Sequence, residues 1–288
     1  MGQVEEFTAA PAVGPLYRRA LLRRHSGPDL PDCRLVWRDV RVERGHLAAY
    51  DRVCGFRLRD ELPATYPHVL AFPLAMTLMT RADFPLPLLG LVHVANRIAQ
   101  RRPLSSGEPL TLTVWAENLR PYDRGTQVDV VTTATDATGA DVWEDRSTYL
   151  KRGRTAEPAV SGGPAVEPST PSAVWTVDRR VGADYAAASG DRNPIHTSRL
   201  LARAFGFPRT IAHGMWTKAR CLSAMEGRLP AAFEVAVAFK RPILLPASVA
   251  FTARRQDERT GTFAVRDLAR QVPHLTGMVS SLGSAARG

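Results

Sequence analysis

Long apolar runs are missing from this chain of 288 residues. No stretch approaches the roughly 18–20 consecutive apolar residues of a membrane helix, so membrane insertion is not expected. The opening Met1-Gly2-Gln3-Val4-Glu5-Glu6 lacks the basic stretch and apolar run of a secretory leader, and the expected location is cytoplasmic. Cysteine is scarce too. Cys33, Cys54 and Cys221 form no close pair and no metal-ligand spacing, so they read as free buried thiols in a reducing compartment, and no metal is expected. Acidic residues number 28 against 38 Lys and Arg, a net charge of +10. Such a balance suits polyanionic partners. Zinc-finger spacing, an aromatic RNA-binding signature and a long basic arm are all absent, apart from the short Arg18-Arg19/Arg23-Arg24 cluster. Nucleic acid is therefore not the expected partner; a solvated basic surface or an acidic small ligand fits better.

What is present is ordinary for a globular protein: 44% hydrophobic and 23% charged residues, on a length that suits two domains or one large one. Residues 153–172, GRTAEPAVSGGPAVEPSTPS, are rich in Pro, Gly, Ser and Ala without apolar period and read as a linker. The expected division is thus 1–152, the linker, and 173–288.

The two parts echo each other. Tyr50 precedes Gly55 as Tyr185 precedes Gly190. Arg102-Pro103-Leu104 follows the apolar-rich run Leu91 to Ile98, and Arg241-Pro242-Ile243 follows Phe233 to Phe239. Each half predicts a short helix (about 43–53 and 179–188), an irregular stretch, then a longer helix. In the second half that helix covers about 213–227, with Met215, Ala219, Leu222 and Met225 on one face. In the first it covers about 73–82 and is apolar nearly all round, as a fully buried helix would be. Alternating strands follow, at Leu110–Trp115 and Val128–Thr132, and at Val235–Phe239 and Val249–Thr252. The pattern predicts an α+β fold: two antiparallel sheets, each wrapped around one helix, side by side as a pseudo-dimer.

The chemistry concentrates between Tyr185 and Met215. An Ala-rich helix ends at Gly190, a residue suited to the left-handed turn past a helix end. Pro194 then holds Asn193 extended, so Asp191 and His196 stand on a stiff turn rather than a helix. Taken singly, Asp191 also fits an Asx turn, Asn193-Pro194 a plain turn, and His196 the N-cap of a helix starting near Thr197.

Taken together, the string resembles the signature of the MaoC-like dehydratases, the family of R-specific enoyl-CoA hydratases. The matching pieces are Ser189-Gly190-Asp191, Asn193-Pro194-Ile195-His196, Ala204-Phe205-Gly206-Phe207 and Ile211-Ala212-His213-Gly214-Met215. The resemblance implies a double hot-dog fold and reversible hydration of trans-2-enoyl thioesters to (R)-3-hydroxyacyl thioesters. It implies Asp191 and His196 as the groups that hold and activate water, with Asn193 positioning them. Gly214, lacking a side chain at the tip of the central helix, is the expected amide donor to the thioester oxygen. His213 fits a helix cap or a ligand contact. Ser189 and Tyr185 fit support of the site or plain capping and packing, and Lys240 and Arg241 fit ligand phosphates or a solvated strand end. No cofactor is expected beyond the carrier of the substrate, coenzyme A or acyl carrier protein. A homodimer of the whole chain is compatible with the pattern.

The signature is missing from the first half. Counted from Tyr50, Asp191 corresponds to Phe56 and His196 to Glu61. Neither His68 nor His93 follows an Asp-x-Asn-Pro turn. The first half is expected to complete a substrate tunnel, with Phe72 to Met79 as lining. A thioesterase of the same fold would set its carboxylate on or beside the central helix, and a non-catalytic acyl binder would need no acid–imidazole pair.

Overall fold

A computed structural model describes residues 2–22, 27–88, 90–123, 125–153 and 170–283. Most of the expected linker, and Arg23-Arg24, lie outside the described residues. The first half runs β1 (Gln3–Phe7), α1 (Val13–Leu22), β2 (Cys33–Val40), α2 (Arg44–Cys54), α3 (Tyr66–Met79), β3 (Leu91–Gln100), β4 (Leu110–Tyr122), β5 (Gly125–Thr135) and β6 (Asp141–Arg152). The second runs β7 (Ala173–Val177), α4 (Val181–Ser189), α5 (Pro194–Thr197), α6 (Arg199–Ala204), α7 (Gly214–Ala224), β8 (Phe233–Phe239), β9 (Ala247–Arg255), β10 (Thr260–Asp267) and β11 (Pro273–Ser281).

All strands join one 11-stranded sheet in the order β1-β2-β4-β5-β6-β3-β8-β11-β10-β9-β7. Each half of it wraps its own central helix, α3 or α7, which makes the chain a double hot-dog. The seam is the antiparallel pair β3–β8, in which Arg97 faces Ala236. When the Arg102-Pro103 and Arg241-Pro242 steps are aligned, those two residues occupy the same place in their halves. A pseudo-two-fold axis therefore passes through that pair, so the echo in the sequence marks the strands that join the halves. Near it the repeated tyrosines meet: Tyr50 and Tyr185 are fully buried, with ring centroids 6.1 Å apart.

Both short helices stop on glycine in the left-handed region, Gly190 at φ 76° as its sequence predicts and its echo Gly55 at φ 81°. The first central helix departs from expectation. It starts at Tyr66, not near residue 73, and ends at Met79. Pro67 sits in the first turn, where no N–H is needed, while Pro73 lies inside the helix and forfeits one backbone bond. Burial on nearly every side holds it despite that loss; Tyr66, Leu74, Met76 and Leu78 are at most 1% exposed. The second central helix closes early, its last turn capped by Met225, with Gly227 beyond it at φ 81°.

The first half also differs more deeply than counting from Tyr50 suggests. Isolated bridges join Glu61 to Ser105 and Ile211 to Leu244. Ser105 and Leu244 hold the same position after their Arg-Pro steps, so Glu61 matches Ile211, not His196. The short path from Cys54 to Glu61 has no counterpart of α5 and α6. The whole catalytic-type segment, not only its two polar residues, belongs to the second half alone.

Candidate active site

The site is built where the segment after α4 meets the first turn of α7. Asp191 follows Gly190 and closes an Asx turn: its Oδ1 accepts from the Asn193 N–H at 3.2 Å. Ser189 Oγ accepts from the Asp191 N–H at 3.2 Å, holding the turn from behind. Asn193, not His196, caps the next helix, its Oδ1 accepting from the Ile195 N–H at 3.3 Å, with Pro194 in the first turn. His196 is carried inward on α5, and its Nδ1 lies 2.7 Å from the Ile211 carbonyl. A carbonyl only accepts, so Nδ1 carries the proton and neutral His196 is left with a lone pair on Nε2.

His213 stacks on His196, ring centroids 3.5 Å apart and planes 24° from parallel. Its Nε2 donates to the Asp191 carbonyl at 3.0 Å, and its Nδ1 is buried without a partner. Although it takes the N-cap position of α7, its side chain makes no capping bond. The first N–H groups of α7 therefore have neither an intrahelical nor a side-chain acceptor from that residue. Gly214 opens this helix, and a Cβ there would touch the Phe239 ring at 3.0 Å. The amide tip is bare because Phe239 leaves no room for a side chain.

One partner was invisible in the sequence. Tyr17, from α1 in the other half, donates its hydroxyl to Asp191 Oδ1 at 2.8 Å. Burial pushes the Asp191 carboxyl up, but His213, His196, the Tyr17 hydroxyl and the Asn193 N–H together outweigh it and hold the group below its usual range. Burial depresses His196, opposed by Asp191 and the Ile211 carbonyl, and it drives His213 down to about 3 with help from His196. Both imidazoles are thus neutral at pH 7. Asp191, His196 and His213 each offer a ligand-type atom within 4.8 Å of the others. Nδ1 of His196 and Nε2 of His213 are already engaged with backbone carbonyls. A carboxylate beside a neutral imidazole with a lone pair on Nε2 is a donor set that can handle protons.

All of these groups line one cavity of about 340 Å³. Asp191, Asn193, His196, His213, Gly214 and Ser189 reach it from the second half, together with Lys240 and Arg241. The first half contributes an apolar wall that includes Phe72, Met76 and Met79, three residues of the stretch expected to line a tunnel. Every candidate site residue named from the sequence therefore lines this one cavity. The three cysteines are free and buried. No helix among the described residues is long and apolar enough to cross a membrane.

The buried neutral histidines make stability depend on pH. His93 and His213 both have folded-state values of about 3 against an ordinary 6.5, so the unfolded chain binds more protons between those limits. Stability is fully present above pH 6.5 and falls as pH drops below it, by about 1.4 kcal/mol per histidine per pH unit. Urea unfolding at pH 7.5 and 5.5 checks this: the lower pH should give the lower midpoint.

Two sheet-wrapped helices, with the Asp191–His196–His213 cluster at the tip of the second, define a double hot-dog protein with a catalytic-type site. The chain belongs to the MaoC-like dehydratase family. A MaoC-like domain model matches residues 166–278. The 3-hydroxyacyl-thioester dehydratase X of Mycobacterium tuberculosis is 38% identical over 260 residues, covering 88% of this chain and 91% of that protein. The crystal structure of HtdX from the same organism superposes with a TM-score of 0.78 at 35% identity, over 86% of this chain and 100% of that one. A MaoC-like dehydratase from Phytophthora capsici shares the fold, with a TM-score of 0.73 at 18% identity over 88% of this chain and 97% of that one.

Proposed function

We propose that the chain is a hydro-lyase that adds water reversibly across the 2,3 bond of a trans-2-enoyl thioester, giving the (R)-3-hydroxyacyl thioester. The observation that carries this reading is the convergence of the Asp191 carboxylate and the His196 ring on one cavity beside the bare first turn of α7. Kinship with a 3-hydroxyacyl-thioester dehydratase supports it.

In this reading a water lies between Asp191 and His196 Nε2. Asp191 accepts one of its hydrogens and fixes its position. His196 Nε2 takes the other as the oxygen bonds to C3. The electron pair moves toward the thioester oxygen, where the Gly214 N–H and the positive end of α7 stabilise the developing enolate. His196 then returns its proton to C2, so one water supplies both hydroxyl and hydrogen. Dehydration is the same path reversed. Asn193 and Ser189 act by holding the Asp191 turn, and His213 by holding the Asp191 carbonyl and the face of His196. Tyr185, buried against the His213 ring at 4.8 Å, braces that histidine. Lys240 and Arg241 line the cavity, with Arg152 beside them, and would meet the phosphates of coenzyme A or of a carrier protein's pantetheine arm. No other cofactor is required. Free buried thiols suit a reducing cytoplasm, and the working unit is one chain or a dimer of it.

Incubation with short and long 2-enoyl-CoA tests the reading. Loss of enoyl absorbance without thiol release is the expected result; release of thiol would make the protein a thioesterase, and neither change a binder. Tyr17→Phe should lower kcat about tenfold, the loss of one hydrogen bond to a charged group. Because Tyr17 helps hold the Asp191 carboxyl down, its removal raises that group, and the acid limb of the kcat profile should move to higher pH.

A further inference from the structure

Besides Tyr17 and Arg152, the first half brings to the cavity a polar cluster that the mechanism does not use, centred on His68. His68, in the first turn of α3, has its Nδ1 against Asp145 Oδ2 in a short contact. Asp145 Oδ1 takes Asn96 Nδ2, and Asn96 Oδ1 takes the Lys218 ammonium, both again short contacts. Lys218 also donates to the Val235 carbonyl at 3.1 Å. Asp145, Asn96 and Lys218 are at most 1% exposed. Burying a carboxylate and an ammonium costs free energy that apolar residues in the same space would avoid.

Only the cavity end of this chain is open. The His68 side chain is 15% exposed and the residue lines the cavity. Its Nδ1 is committed to Asp145, which leaves Nε2 as the ring nitrogen that can meet a ligand. Contacts lead to it from the reacting centre: the Phe239 ring lies against Gly214, His93 is 4.9 Å from Phe239, and His68 is 6.3 Å from His93. The cationic residues Lys240, Arg241 and Arg152 also line the cavity, and the exposed Arg241 and Arg152 mark its solvent end. Phosphates belong at that end and the acyl chain at the buried one.

We infer that His68, backed by Asp145, is a subsite for a hydroxyl on the acyl chain, so that the preferred substrates are 2-enoyl thioesters oxygenated beyond the reacting carbons. This rests on the cavity being the acyl-thioester site. A hydroxyl both donates and accepts, and so satisfies Nε2 whether or not it carries a proton. A methylene satisfies it in neither state and leaves a desolvated polar group unpaired.

The test compares kcat/KM for 2-enoyl-CoA thioesters of equal length, one plain and a series with a single hydroxyl moved along the tail. The wild type should favour at least one hydroxylated isomer about tenfold or more. That ratio should collapse toward one in His68→Phe and survive in part in His68→Gln. No preference for any isomer in the wild type overturns the inference, whether or not the variants fold. So does a preference that His68→Phe leaves untouched. If the wild type binds the thioesters without hydrating them, the reaction reading fails separately. The ratio of Kd values for the same series, by calorimetry, then decides the subsite by the same criterion.

Discussion

Asp191→Asn and His196→Ala should each lower turnover of a 2-enoyl thioester by about a thousandfold, the range set by losing a positioned acid–base group. The geometry allows the chemistry to be removed without the fold. An asparagine at 191 keeps the side-chain oxygen that accepts from the Asn193 N–H, so the turn survives. It loses the charge that grips the water. At 196 the ring does two things: Nδ1 satisfies the Ile211 carbonyl while Nε2 faces the cavity. Alanine removes both, so His196→Gln is the useful companion, because its amide can still donate to that carbonyl. Both variants should be nearly inactive, with far-ultraviolet spectra unchanged and only the alanine lowering the unfolding midpoint. If either retains most of its activity, the assignment of the water-activating pair is wrong.

The second large effect separates the amide at 214 from the space around it. Gly214→Ala adds a Cβ that would meet the Phe239 ring at 3.0 Å, so its cost reports crowding. Gly214→Pro adds the same carbon and also deletes the N–H. The backbone accepts proline here: residue 214 is the first of α7, where no intrahelical bond is lost, and His213 is already extended at φ −68°, ψ 140°. The proline variant should therefore fold like the alanine variant but turn over about 100-fold more slowly than it, the usual effect of one lost oxyanion donor. Equal rates in the two variants would show that the Gly214 amide does not stabilise the enolate.

The parts of this protein that were legible in the sequence are those held by local rules. Gly190 and Pro194 announce the break after α4, and Asp191 stands in the turn as expected, whereas His196 lies on the short helix α5 that Pro194 opens. The cap at Gly190 and the seam strand at Val235–Phe239 could be read from local pattern, while Leu91 to Ile98, the other seam strand, reads only as an apolar-rich run. What escaped notice depends on distant packing. Tyr17 reaches Asp191 across 174 positions of sequence, and nothing near either residue signals the meeting. The first central helix, expected over about 73–82, begins at Tyr66 because burial on nearly every side carries it through Pro73. The match of Glu61 to His196 assumed equal path lengths, and the first half lacks α5 and α6 entirely. His68 follows no flanking motif, and its partner Asp145 comes from a strand far along the chain.

The seam at Arg97 and Ala236 has an evolutionary consequence. In an assembly of two identical chains, any substitution is written twice, once on each side of the axis, and a change that widens one pocket must also be borne by the other. Joining both copies in a single polypeptide ends that coupling. One side is then free to do without a reactive loop and to carry a polar chain such as His68–Asp145–Asn96–Lys218, while the other carries the proton-transfer groups. Titration of functional centres should accordingly count one per polypeptide, and separately produced halves should regain function only when mixed.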